Sequence, residues 1–116
     1  MERQEIISGI ITRKIEVVNC TPHPLNWIKE DGAVVIAPSG TVARIDIREV
    51  ELGDGFVSHE KGEIIDLPEP LEGKIFVVSG FVFAATDRLD VIAPNTNKSI
   101  RDENGRIVGV PGFIMH

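Results

Sequence analysis

The sequence has one cysteine, one tryptophan and no apolar run longer than a handful of residues, which excludes several classes of protein at once. A lone cysteine, Cys20, makes no internal disulfide, so a cytoplasmic setting is the expectation. A membrane-spanning helix needs about 20 consecutive apolar residues, and no stretch approaches that. The opening MERQEIISGIITRK places acids ahead of a broken apolar run and lacks a small-residue cleavage site, so no secretory leader is expected there. Positive charge is also scarce. The net charge is −6, and between Asp46 and Glu72 nine acids face only Arg48 and Lys61. Duplex binding relies on a basic stripe that neutralises phosphates, so direct nucleic-acid binding is disfavoured.

The 116 residues, 42% hydrophobic and 26% charged, have the composition of one folded domain rather than a disordered chain. Apolar residues recur mostly at every second position or in short β-branched runs bounded by Gly, Pro, Asn and Asp, a strand pattern. Lys14–Cys20 reads as one strand. Leu25–Ile28 and Ala33–Ala37 read as a hairpin turned by Asp31-Gly32. Thr41–Ile47 alternates as a strand with one wet face. From Arg48 to Glu60 the pattern loosens into an exposed loop or a second hairpin tip at LGDG. Short strands are expected at Glu63–Leu67 and Lys74–Ser79, and a final hairpin around Asn104-Gly105. One helix is expected over Gly80–Val91, with a strand through Phe81–Ala84 as the alternative. The expected fold is α+β, predominantly β: a small antiparallel sheet or partly open barrel with hairpins and one short helix near 80–91. Residues 14–116 would form one compact β-rich domain, and residues 1–13 an amino-terminal extension or extra strand. Most of Phe81, Phe83, Phe113 and Trp27 should enter the core of so small a protein.

Asn19–Trp27, NCTPHPLNW, holds both rare residues and clamps His23 between two prolines. Pro22 and Pro24 fix their own φ and keep Thr21 and His23 out of helical conformation. The segment is therefore extended, at an edge or corner, with Asn19 and Thr21 available to satisfy backbone groups. Two readings follow. One is a rigid structural corner; the other is a preorganised imidazole facing a pocket. Cys20 and His23 supply half of a zinc knuckle, but structural zinc takes four ligands and no second pair is spaced for it. No metal or cofactor is expected, and Cys20 reads as a small core residue. His59–Glu63, HEKGE, lacks the second histidine of a helical metalloprotease motif and carries Gly62, so it reads as a charged loop. Ser79 lacks the glycine pattern of a nucleophile elbow. Arg44 follows the Ser39-Gly40 turn, whose amides suit an anion. With His23 and Arg88 it would form a small cationic pocket, or it pairs with nearby acids. Asp87, Arg88 and Asp90 alternatively pair with one another to close a helix.

The order VNCTPHPLNW, APSGTVAR, LPEPLEGKIFVVSGFVFAA, DRLDVIAP, RDENGRIVGVPGF resembles a family of small bacteriophage and prophage proteins. That family's pattern runs Asn-x-Thr-Pro-His, Pro-Ser-Gly before Ala-Arg, Leu-Pro-x-Pro-x-x-Gly, a Val-Ser strand, Arg-x-Asp-x-x-x-Pro and an Arg-Asp-Glu-Asn-Gly hairpin. The resemblance spans residues 17–113. It departs at the amino terminus, which carries extra residues, and at Phe76, where tyrosine is frequent. It implies an accessory mobile-element protein and no particular activity. The leading expectation is a non-enzymatic protein that binds a small anionic ligand or a host protein through His23, Ser39, Arg44 and Arg88, with Arg101 from the last hairpin. The competing expectation is a structural or assembly protein acting as a homo-oligomer, since exposed sheet edges favour pairing with a second copy. An enzyme using His23 as general base ranks third, because no nucleophile, metal set or carboxylate pair accompanies it.

Overall fold

A computed structural model describes residues 2–116. Along the chain run α1 (Arg3–Ile11), β1 (Glu16–Asn19), β2 (Leu25–Lys29), β3 (Gly32–Ile36), β4 (Arg44–Gly53) and β5 (Phe56–Ile65). Next come β6 (Lys74–Val77), α2 (Gly80–Ala84), β7 (Val91–Pro94), a 3-10 turn (Thr96–Lys98), β8 (Ile100–Arg101), β9 (Ile107–Gly109) and β10 (Phe113–Met115). The fold is α+β and predominantly β; among the described residues about 45% lie in strands and 15% in helices, and they form no closed barrel.

The centre is a four-stranded sheet in the order β1-β6-β7-β10. Hairpins elsewhere are antiparallel, but β1·β6 and β6·β7 are parallel pairs. Parallel strands need cover on both faces and read as unbroken apolar runs. That is the character of Ile75-Phe76-Val77-Val78, all buried. Period-two alternation splits them. Ile75, Val77 and Ile92 pack with Ile6 of α1 on one face; Phe76, Val78 and Val91 pack with Cys20, Ala43 and Val82 of α2 on the other.

Residues 3–11 are helical rather than an added strand. Isoleucine is a modest helix former, and tertiary packing overrides so weak a preference. Ile6 is 1% exposed, Ile10 packs beside it, and α1 thereby covers one sheet face. Gly9 permits that approach: a Cβ there would lie 2.3 Å from Ile15 Cδ1. The helix stops in a Schellman turn, with Arg13 left-handed (φ 61°). The Arg13 amide donates to the Ile10 carbonyl at 3.2 Å and the Lys14 amide to the Gly9 carbonyl at 2.9 Å.

The second helix is shorter than the expected 80–91. Ser79 caps α2, its hydroxyl accepting from the Val82 amide at 3.4 Å, and the helix ends at Ala84. Arg88 then bonds Asp90 two residues on, a pairing that helical spacing does not allow. The chain must also turn here to return as β7 beside β6.

Of the two expectations for 48–60, an exposed loop or a second hairpin tip, the structure has the hairpin, and a long one. Strands β4 and β5, ten residues each, meet at Asp54-Gly55, both at positive φ as a type I′ turn requires. His59–Glu63 lies within β5 rather than in a charged loop. Each strand would reach about 33 Å if regular. Only the base of the arm, at Ile45 and Ile64, packs on the core. The Cα radius of gyration is 16.3 Å, against about 13 Å for a compact chain of this length. The arm thus projects from the body.

Candidate functional site

The Thr-Pro-His-Pro segment is held by Asn19, whose side chain is buried at the end of β1. Its Nδ2 donates to the carbonyls of His23 (2.8 Å) and Ile36 (3.0 Å). Its Oδ1 accepts from the Thr21 amide at 2.9 Å and the Thr21 hydroxyl at 2.7 Å. Its backbone carbonyl accepts from the Ser39 amide at 2.9 Å. Asn19 thus ties the corner at Thr21–His23 to the end of β3 and the turn that follows it. What His23 contributes to that network is its carbonyl; the imidazole is exposed and makes no hydrogen bond among the described residues. Cys20, fully buried, has its thiol pushed up by burial, with a hydrogen bond to Ser39 opposing the shift.

The remaining members of the expected cationic pocket lie apart in function. Ser39 and Thr41 close a local turn, the Ser39 hydroxyl lying 3.3 Å from both the Thr41 amide and carbonyl. Arg44 opens β4 opposite Ile65, is exposed, and makes no ion pair among the described residues. Arg88 grips Asp90 with two bonds of 2.9 and 2.7 Å. That bond raises the Arg88 guanidinium above its ordinary value, while burial opposes the rise. Arg101 donates to the Gly105 carbonyl at 2.7 Å across its own hairpin. Arg88 lines a groove of about 450 Å³ between α1 and the Pro70–Ile75 turn; Arg101 lines a separate one of about 390 Å³ beside β9. His23, Ser39 and Arg44 line neither. Among the described residues no three His, Cys, Asp or Glu side chains group to hold a metal ion, and no helix is long and apolar enough to cross a membrane.

Two further features stand out in three dimensions. The first is the arm, exposed on both faces from Asp46 to Glu63 apart from Val50. Ile47, Leu52, Phe56 and Val57 stand largely in solvent, Phe56 at 71%. Gly53 faces Phe56 across the hairpin, so no cross-strand side chain covers its ring. A bulge leaves Leu52 unpaired. At the base, Gly62 allows a second bulge, since a Cβ there would meet the Asp46 carbonyl at 2.7 Å. The Asp-Gly pair of the tip was the available signal in the sequence.

The second feature is an apolar cavity of about 180 Å³ between α1, Trp27 and β10, walled by Ile7, Ile10, Ile11, Trp27, Phe113 and Met115 among others. Trp27 meets Phe113 edge to face at 5.3 Å. The indole N–H is already donated to the Pro111 carbonyl at 3.2 Å. Lys29 lies 5.0 Å from the Trp27 ring centroid, with Asp31 a distant 3.9 Å partner. Compared with known proteins, the chain matches no family model, no curated protein and no solved structure, so these two surfaces must speak for its function on their own chemistry.

Proposed function

We propose that this chain is a structural or assembly protein that works as a homo-oligomer, and that the phage or prophage accessory role implied by its motif order is of this kind. The observation that carries the reading is the arm. A two-stranded hairpin alone is at best marginally stable in water, yet this one runs ten residues a side with apolar side chains on open display. Large apolar residues grouped on a projection mark a surface meant to be covered. The distribution of His23, Ser39, Arg44, Arg88 and Arg101 supports the same reading over capture of an anion. Arg88 and Arg101 already spend donors on Asp90 and Gly105, in separate grooves.

Sedimentation velocity and native mass spectrometry over a wide concentration range test this. Self-association is expected for the wild type and its loss in the double variant Ile47→Lys, Val57→Lys. A monomer at every concentration overturns the reading. A stoichiometric small-molecule adduct on that monomer would restore the anion-binding alternative.

A further inference from the structure

We propose that the tip of the arm in one copy, with Phe56 as its plug, seats in the apolar cavity beneath α1 of the next copy, so that the protein assembles head to tail. The inference rests on the assembly reading and names the surface that covers the arm.

Three observations converge on it. The first is shape and size. A dry cavity of about 150 Å³ holds benzene, and the cavity here, at about 180 Å³, has room for a phenyl ring. Phe56 presents such a ring at the end of a projection, flanked by Leu52 and uncovered by Gly53.

The second is polarity. The cavity walls are apolar, and the one indole N–H among them already has its acceptor. A polar metabolite would find nothing to bond there, whereas a hydrocarbon side chain loses nothing on entry.

The third is charge. From Asp46 to Glu63 the arm carries Asp46, Glu49, Glu51, Asp54, Glu60 and Glu63 against Arg48 and Lys61. Arg48 is tied to Glu60 at 3.0 Å. Two such arms laid side by side would set like charges opposite one another, which is destabilising. The cavity offers the complement. Lys29 stands over Trp27, which lines the cavity, with Asp31 its partner at 3.9 Å, and Arg13 lies two residues beyond Ile11 at the end of α1. Glu5 lines a different groove of α1, with Ser8 and Thr12.

Plug and cavity are different surfaces of the same chain, so their contact is heterologous. It generates a closed ring if the rotation between copies closes and an open filament otherwise.

The test blocks each half separately. Phe56→Asp spoils the plug and leaves the cavity; Ile11→Asp, at an exposed rim position, spoils the cavity and leaves the plug. Circular dichroism first establishes that both variants fold. If Ile11→Asp does not, Ile11→Trp, which fills the mouth without adding charge, takes its place. Each variant alone is expected to be monomeric, with association weakened about thirtyfold or more, as for a central anchor residue. An equimolar mixture is expected to yield a heterodimer and nothing larger, because only one productive junction remains. Phe81→Asp, which alters the other strongly exposed phenylalanine, should leave the wild-type oligomer unchanged.

If both blocked variants keep the wild-type oligomer, or Phe81→Asp abolishes it, this contact is wrong while the assembly reading stands. A mixture that stays monomeric also overturns the contact. If the wild type itself is monomeric, the assembly reading falls with it.

Discussion

The strand β6 and the arm β4–β5 are built from the same kinds of residue and meet opposite fates. Ile75, Phe76, Val77 and Val78 are all buried, because α1 covers one face of their sheet and α2 with the arm's base covers the other. Ile47, Leu52, Phe56 and Val57 are exposed, because their two-stranded ribbon has no layer on either side beyond its first few residues. Burial is therefore conferred by the number of layers around a strand and not by its residue types. A strand without layers in its own chain leaves its apolar side chains in water.

Substitutions that separate the two regions sharpen that contrast. The largest effect is expected in the sheet. Phe76→Ala leaves a cavity in a core packed from both sides and should cost about 3–5 kcal/mol in chemical denaturation. A loss below about 1 kcal/mol would mean that the sheet is not the stability centre.

Asn19→Ala comes next, at about 2–3 kcal/mol, because the carbonyls of His23 and Ile36 lose their donor and the Thr21 amide its acceptor. His23→Ala at the same corner should stay within about 0.5 kcal/mol, since its side chain is exposed. Equal losses from both would show that the imidazole, not its carbonyl, holds the corner.

Within the arm, Gly62→Ala should cost about 1–3 kcal/mol by driving a Cβ against the Asp46 carbonyl, and amide exchange should quicken in β4 and β5 before it does in β6.

Cys20 contributes a smaller, pH-dependent increment. Its thiol is raised in the folded state, so the unfolded chain ionises first. The contribution is whole below roughly pH 8.5 and declines as pH rises through the folded value. Cys20→Ala should flatten this alkaline loss, and wild-type thiol alkylation should proceed only at the rate of unfolding. Prompt alkylation of the native protein would contradict its burial.

Phe56→Ala is expected to change monomer stability least, within about 0.5 kcal/mol. It should nonetheless abolish self-association, the inverse of Phe76→Ala.

Much of the local structure is legible in the residues. The β2–β3 hairpin is legible, although it turns one residue earlier than expected, at Glu30-Asp31, with Gly32 paired to Lys29; Asn104-Gly105 marks the last hairpin, and the unbroken apolar run from Ile75 marks the buried strand. The corner at Thr21–Pro24 follows from proline geometry, and Asn19 with Thr21 secures it as their side chains permit. The candidate site was far less legible. Of the five, His23 and Ser39 are both hydrogen-bonded to Asn19, and Arg44 follows Ala43, which is hydrogen-bonded to Cys20, whereas Arg88 and Arg101 line separate grooves. Folding gives Arg88 to Asp90, Arg101 to its own hairpin, and Ser39 to a turn. Of Phe81, Phe83, Phe113 and Trp27, most of them expected in the core, Phe81 is the exposed one, on the outer side of a helix only five residues long.

The sequence by itself determined what depends on neighbours in the chain: turn positions at Gly and Asn, extended backbone around Pro22 and Pro24, a predominantly β composition, and an excess of acid. Those properties arise from steric limits on φ and ψ and from charge, and they act over a few residues. Only the tertiary structure decided that Arg3–Ile11 is a helix, that α2 stops at Ala84, that β4 and β5 run out as an arm, and that an apolar cavity opens beside Trp27. Each of these turns on which distant surface covers a segment, and burial against a distant surface outweighs the weak local preferences of isoleucine, valine and phenylalanine.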